Sequence, residues 1–365
     1  VYVNSKGRQY SPAAMGATQS AEEIIDALRR AKGTGEPLGP ELLDLRGVRF
    51  TDADLSGLDL TGCDFSGCEM SRCNLSKASC PSANFDGATL YKANLDGAEF
   101  LGTTFREANL SECSALKAGF GRTDLTGAKF FRAQLEDSTF VGAKVEKADL
   151  RAAKMSRCRF MEAKLEHADF FQADLKDVDF RETNIDGANF RHASLRGAQL
   201  RDARNYTKAD WIGADIRDID FSGAYLVRQY IIDENFLHEF RHQDKIHSAV
   251  YHAWKLTSDC GRSMIRWGVF LALNVLLFAF IYWGMDTWMP PDEINPNTSN
   301  PFVSHLTEIG EGGLPGGFVP YLYYSVVTFT TLGYGDVVPQ TVAGQIVLII
   351  HISIGYLGLG ALLSI

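Results

Sequence analysis

From Leu45 to Leu200 every residue whose number is a multiple of five is large and apolar, with Cys80 and Ala115 the exceptions among 32 positions. Two residues before each stands a small one, as in Ala83, Ala88, Ala93, Ala98 and Thr103 ahead of Phe85, Leu90, Leu95, Phe100 and Phe105. Asp, Asn, Ser, Thr, Arg and Lys fill most other places. A period of five matches neither the helix, at about 3.6, nor the strand, at about 2. A short fixed period means stacked copies of one unit. If each unit is one side of a square coil, both the large residue and the small one point inward. Neighbouring coils then pair through backbone hydrogen bonds, and eight coils of four units make a rod roughly 40 Å long at about 4.8 Å per coil. After Leu200 the phase slips by one residue across "RDARNYTKADW", which predicts a bulge or short loop, and it resumes at Ile216, Phe221 and Leu226. The ends of such a rod are open sheet edges that need covers. At the front, "SAEEIIDALRR" begins with Ser20 and Glu23 in capping-box spacing, which predicts an amphipathic helix as the N-terminal cap.

Between Arg228 and Arg266 the pattern becomes helical, with Ile232, Phe236, Phe240, His247, Tyr251 and Trp254 recurring at threes and fours. Here "HEFRH" places His238 and His242 one turn apart with Glu239 beside them, the spacing of a zinc site with a general base. No HxxGxxH extension follows, and no glutamate between Glu239 and Glu293 offers a third ligand. A solvated connector face is therefore preferred to a metal site.

The remainder is apolar. "WGVFLALNVLLFAFIYWGM" (Trp267 to Met285) and "VAGQIVLIIHISIGYLGLGALL" (Val342 to Leu363) are each long enough to cross a bilayer. Trp267, Tyr282 and Trp283 stand near the ends of the first as interfacial aromatics. Between them "FVPYLYYSVVTF" (Phe318 to Phe329) is apolar but too short to span, and "TTLGYGDVVP" follows at once. A half-length helix followed by a glycine-rich segment predicts a re-entrant loop, tolerated only where protein or a water-filled pore shields the backbone.

Charge supports this division. Residues 268–365 contain no Lys or Arg, while Lys255, Arg262 and Arg266 precede the first span and mark that end as cytoplasmic. The intervening loop carries Asp286, Asp292, Glu293, Glu308 and Glu311 and no base, which would concentrate cations at an outer mouth. The first 40 residues show no apolar signal segment, so the N-terminal part is expected to remain cytoplasmic. Cys63, Cys68, Cys73, Cys113 and Cys158 occupy the small repeat position, where a reduced thiol acts as a small hydrophobe.

The units "ANLDG" (Ala93 to Gly97) and "ADLRA" (Ala148 to Ala152) resemble the pentapeptide-repeat family, with its pattern A(D/N)LXX. The resemblance implies a right-handed quadrilateral β-helix. Some members of that family mimic DNA with acidic rods, but residues 41–227 hold 30 acids against 25 bases, so a scaffold role is favoured and no nucleic-acid partner is expected.

"TFTTLGYGD" (Thr328 to Asp336) is similar to the TxxTxGYGD filter of the two-transmembrane tetrameric potassium channels. The resemblance implies that oxygens of Thr331, Leu332, Gly333, Tyr334 and Gly335 from four chains replace the hydration shell of K+. It assigns Thr330 and Asp336 to filter support and Tyr323 and Tyr324 to an aromatic cuff. Leu332 stands where valine is commonest. Val327 stands where some members carry a glutamate that bonds the aspartate after the filter, so Asp336 needs another partner. Gly355 matches the hinge glycine of the inner helix. His351, ionisable within a span, is left between helix packing and a pH-sensitive role.

The expected fold is thus an N-terminal pentapeptide-repeat solenoid and a C-terminal α-helical transmembrane pore domain with two spans and a re-entrant filter. The expected segments are 1–40 with a capping helix, 41–227 as the rod, 228–262 as a helical connector and 263–365 as the pore. The expected function is a homotetrameric K+ channel, not an enzyme, with K+ as the permeant ion and no cofactor. It would sit as a multi-pass protein in the lipid bilayer of the plasma (cell inner) membrane. Its cytoplasmic rod would serve regulation or assembly by binding a protein or ligand. The alternative is a membrane-anchored repeat scaffold for a protein partner, with a non-selective or vestigial pore.

Overall fold

The computed structural model describes residues 21–34, 38–222, 224–288, 317–332 and 342–363, with the short strand pairs β1 (Tyr2–Val3) with β2 (Gln9–Tyr10) and β3 (Phe302–Ser304) with β4 (Val337–Pro339). The chain forms two compact units, Val1–Glu239 and Phe240–Ile365.

In the first unit the five-residue period becomes a four-sided coil. Parallel bridges link residues twenty apart, from Asp44 with Asp64 through Asn184 with Arg204. Each side is tied to the next coil by backbone bonds such as Phe85 N to Thr104 O at 2.8 Å and Thr104 N to Ala83 O at 3.1 Å. Each corner is a turn closed by bonds such as Ala88 N to Phe85 O at 3.0 Å. The third turn residue has positive φ, +66° at Gly87, as a type II turn requires. Lys92 holds the same conformation at φ 57° and Arg132 at 56°, at a cost on the order of 1 kcal/mol each. The ladder that continues through these corners offsets that cost, as where Lys92 N donates to Ser111 O at 3.1 Å.

The interior is filled by the two apolar rows. Phe100, Phe120, Phe140, Phe160 and Phe180 stack in one column with ring centroids 5.1, 4.9, 4.6 and 5.4 Å apart. These steps follow the strand spacing of about 4.8 Å, so the side chains inherit the register of the ladder. All five rings are fully buried.

The phase slip is local. Beyond Arg204 the bridges pair residues 21 apart, starting with Asn189 and Asp210. The extra residue is absorbed where Asn205 turns left-handed at φ 60° before the single 3-10 turn Tyr206–Lys208. Trp211 then stacks on Phe190 at 4.6 Å and donates from its indole to the Tyr206 carbonyl at 2.9 Å. The inward row therefore resumes at Trp211, one unit before Ile216. Leu226 does not belong to it: this residue is exposed, because helix geometry has taken over at Tyr225.

Both rod ends are covered. Helix α1 (Ala21–Thr34) buries Ile24, Ile25 and Leu28 against the first coils, and its Arg29 bonds the Asp54 carbonyl at 3.2 Å. Ser20 of the expected capping box lies outside the described residues. A single turn, α2 (Pro40–Leu43), leads into the first bridge. At the far end Val227 and Ile231 of helix α3 (Tyr225–Gln243) join the rod core. Tyr230 donates to the Thr207 carbonyl at 2.8 Å, and Asn235 accepts from Gly213 N at 2.7 Å while donating to the Trp211 carbonyl at 3.1 Å. The start of the segment expected as a connector is thus a second cap, which satisfies the last coil's open backbone groups.

The second unit contains α4 (Lys245–Ser258), α5 (Met264–Trp288), α6 (Val319–Phe329) and α7 (Val342–Leu363). Asp244 caps α4 by accepting from His247 N at 2.8 Å. Left-handed Asp259 and Cys260, at φ 54° and 58°, end it. β3 and β4 pair antiparallel with Val303 opposite Val338.

Candidate functional site

The site is built from α5, α6 and α7. Residues Met264–Met285 of α5 are long and apolar enough to cross a bilayer, and only 17% of the most apolar window is buried. A core helix of a soluble protein would be mostly buried; here Val269, Leu273, Leu277 and Phe280 point outward. α7 is a helix of 22 residues without an Asp, Glu, Lys or Arg side chain. α6 has 11 residues, about 16 Å at about 1.5 Å per residue, half the depth of a bilayer core.

α6 is anchored on both sides. The Ser325 hydroxyl donates to the Val275 carbonyl of α5 at 2.7 Å. Tyr324 is buried with its ring 4.9 Å from Tyr282 of α5, and Val327 is buried as well, while Tyr323 is exposed. On the α7 side Gly355 lies so close to the end of α6 that an added Cβ would collide with the Phe329 carbonyl oxygen. His351, one turn earlier, is fully buried, stacked on Phe278 at 4.0 Å, with Nδ1 2.9 Å from the Tyr282 hydroxyl. Tyr282 and Trp267 are buried within the unit, and Trp283 alone of the three is exposed. A phenol hydroxyl inside an apolar bundle needs a partner, and the histidine supplies it.

The carbonyl end of α6 leads into the glycine-rich segment. Thr330 closes the helix, its N and Oγ1 donating to the Val326 carbonyl at 2.9 and 2.8 Å. Thr331 turns left-handed at φ 59°, and its N donates to the Thr328 carbonyl at 3.0 Å. Leu332 N reaches back to the Val327 carbonyl at 3.1 Å. Thr331 and Leu332 are exposed in the single chain. Gly333, Tyr334, Gly335 and Asp336 lie outside the described residues. The negative end of a helix dipole at this position favours a cation beyond it.

His238, Glu239 and His242 lie on α3, and among the described residues no group of three or more His, Cys, Asp or Glu side chains is arranged to hold a metal ion. The residues that the sequence reading did not connect are Phe278, Tyr282 and Ser325. Their partners are on other helices, so no local pattern marks them.

Pentapeptide-repeat models match residues 44–127 and 115–228, and an ion-channel model matches residues 297–365. The chain is 29% identical over 102 residues to two-pore potassium channel 4 of Arabidopsis thaliana, covering 28% of this chain and 31% of that one. It is 40% identical over 80 residues to the mouse voltage-gated potassium channel KCNC1, covering 22% of this chain and 13% of the relative. The fly channel Shal from Drosophila melanogaster matches at 32% over 138 residues, 38% of this chain and 20% of that one. The chain thus spans about a third or less of the length of these curated relatives. Among solved structures, the pentapeptide-repeat protein HetL of the cyanobacterium Nostoc aligns at 21% identity with a TM-score of 0.39, covering 56% of this chain and 96% of that one. The chain carries pentapeptide repeats in its N-terminal part and, at its C-terminal end, an ion-channel domain related to those of potassium channels.

Proposed function

We propose that the chain is one subunit of a homotetrameric, potassium-selective channel. One observation carries this reading: a half-length helix, held between two long apolar helices, whose carbonyl end runs through Thr330, Thr331 and Leu332 into Gly333-Tyr334-Gly335-Asp336. The carbonyl oxygens of residues 331–335 from four chains would ring one axis and replace the water around K+. Glycine at 333 and 335 permits the backbone angles that this alignment needs. Tyr334 would pack outward to fix the diameter, and Asp336 would brace the outer end. α7 would be the second span, with the N-terminal rod on the cytoplasmic side of the plasma membrane. Carbonyls rather than carboxylates suit a monovalent ion that must bind and then leave.

The rod would serve regulation or assembly. It is a stiff body, capped at both ends, and its exterior is balanced in charge, which suits a protein or small-ligand partner better than a nucleic acid.

Ion flux from liposomes tests the pore. K+ efflux well above Na+ efflux is expected, with Gly333→Ala abolishing the difference. Equal passage of both ions by the unaltered protein would falsify the proposal and leave the membrane-anchored scaffold as the better reading. Removing residues 1–222 should change open probability and leave selectivity intact.

A further inference from the structure

We propose that the outward face of α3 is a seam that packs, in parallel, on the same face of α3 in a second copy of the chain, and so joins neighbouring rods. The inference rests on the homotetrameric reading and goes beyond it, since a pore could assemble with its rods apart. It begins from the two faces of α3, read at about 100° per residue. On one side Val227 and Ile231 fill the end of the rod, and Tyr230 and Asn235 bond its last turns. On the opposite side stand Tyr225, Gln229, Ile232, Phe236 and Glu239, spaced by alternate steps of four and three. That spacing is the repeat by which one helix buries a narrow stripe against another. The stripe points outward: Tyr225 is 67% exposed, Phe236 55% and Ile232 42%, with Leu226 beside them at 69%. A cap needs only the face that it turns to the rod. A second apolar face, held outward by the first, marks an interaction surface.

Charge and topology identify the occupant. Arg228 and Asp233 flank the stripe on its two sides, five residues apart. In a parallel pair that interval sets the base of one helix beside the acid of the other, on both sides of the seam. In an antiparallel pair like charges would meet. Gln229 donates to Asp233 Oδ1 at 2.8 Å, which holds the carboxylate at the edge of the stripe. Parallel is also the orientation shared by copies whose C-terminal helices enter one membrane from the same side. The stripe is therefore complementary to itself, which fits a second copy better than a foreign chain. A stripe this narrow is filled by one partner helix, so the rods join two by two. Glu239 ends its apolar part, leaving Tyr225 to Phe236, about three turns. So short a seam would not hold free helices together. Copies tethered by a shared pore meet at an effective concentration on the order of millimolar, which turns a weak contact into a populated one.

Cross-linking of the full chain in liposomes tests the seam. The background is Cys260→Ser, since the other six cysteines are buried in the rod. Single cysteines are placed at Ile232→Cys and Phe236→Cys on the stripe, and at Arg241→Cys on the other side of α3. A short bismaleimide should give several-fold more covalent dimer at 232 and 236 than at 241. Arg228→Glu should cut the dimer yield at 232 several-fold, and Arg228→Glu with Asp233→Arg should restore it, a rescue that a merely disturbed fold would not show. A water-soluble monofunctional maleimide reports access at each position, and light scattering in detergent gives the number of chains per particle. Ready labelling at 232 and 236 without dimers, in a particle of four chains, would overturn the seam and leave the homotetramer standing. Poor labelling without dimers would overturn it too, by showing that lipid or another protein covers the stripe. Equal dimer yields at all three positions would also overturn it, and a particle of one chain would overturn both readings.

Discussion

The hydroxyl of Tyr282 in α5 stands 2.9 Å from Nδ1 of His351 in α7, and both side chains are fully buried. The ring of His351 lies flat on Phe278 and 5.9 Å from Phe329 at the end of α6. One polar pair therefore ties the two long helices together directly behind the short one. In a membrane such a pair contributes about 0.6–2 kcal/mol. Tyr282→Phe and His351→Phe keep the rings and remove the bond, so each should lower the thermal midpoint of the protein in detergent. The double variant should cost less than the sum, with a coupling of about 1 kcal/mol. Additive losses would show that the pair contributes nothing as a pair.

Gly355 tests how closely α7 must approach α6. A Cβ there meets the Phe329 carbonyl, a backbone atom that cannot rotate away. Gly355→Ala should cost about 1–3 kcal/mol and reduce K+ flux, because either α7 or the end of α6 must shift. Gly284 in α5 has nothing within 4 Å of its added Cβ, so Gly284→Ala should be neutral or slightly stabilising. Flux and thermal midpoint measured on both variants decide the matter. Equal behaviour of the two would refute the packing argument.

The rod makes a sharper comparison between inside and outside. Phe120 is fully buried between Phe100 at 5.1 Å and Phe140 at 4.9 Å. Phe120→Ala should destabilise the rod by about 3–5 kcal/mol. Phe131 sits at an outer corner, half-buried beneath the Arg132 guanidinium at 5.0 Å. Phe131→Ala should cost about 1 kcal/mol or less. Denaturant unfolding followed by the far-ultraviolet signal of the rod measures both; similar midpoints would contradict the assignment of the two faces.

These contrasts also mark what the residues could reveal before the fold was known. Phe120 and its column were legible because a stacked interior demands the same residue class at every coil, and that demand is written at a fixed period. The left-handed corner was not legible, since Lys92, Glu112 and Arg132 fill positions where glycine would have announced it. Trp211 belongs to the column, but its place depends on how Asn205 and the 3-10 turn absorb one residue, which no count reveals. Val227 and Ile231 read as part of a connector because only the rod's open end turns them into a cap. The hydrogen bond of Tyr282 was not legible because its partner lies 69 residues away. The filter-like pattern was plain as a string of residue types, but Gly333 to Asp336 lie outside the described residues.

Acid should weaken the rod in a defined window. The Arg217 guanidinium donates to the two oxygens of Asp215 at 2.8 and 2.6 Å and holds its carboxyl down to about 2. Asp179 is also lowered: burial raises it, and the hydrogen bonds from Arg181 outweigh that effect. A carboxylate whose folded pKa lies below the unfolded value of about 3.9 contributes stability above that value and loses it as pH falls through the folded one. The unfolding midpoint should therefore decline between about pH 4 and pH 2 from these groups. Asp215→Asn should lower the midpoint at neutral pH and converge on the parent near the acid limit. The difference should stay below about 1 kcal/mol, since Arg217 is 72% exposed and solvent screens the pair.

Thiol chemistry should report whether the rod opens. Cys63, Cys68, Cys73, Cys80, Cys113 and Cys158 are buried in its interior, while Cys260 is half-buried in the link after α4, and none of the seven is in a disulfide. Burial pushes the thiols of Cys63 and Cys73 up to about 12 and that of Cys68 to about 11, so almost no thiolate exists at neutral pH. Access is closed as well, because α1 covers the first coils. A water-soluble disulfide reagent should therefore modify one thiol quickly in the folded protein and the other six only on unfolding. Cys260→Ser should remove the fast phase. In denaturant the six should become reactive together if the rod unfolds as one body. If Cys63 and Cys68 react first, unfolding begins at the α1 end and spreads along the coils, as nearest-neighbour stacking allows. A second fast thiol in the native protein would mean that the α1 cap opens on the timescale of the reaction.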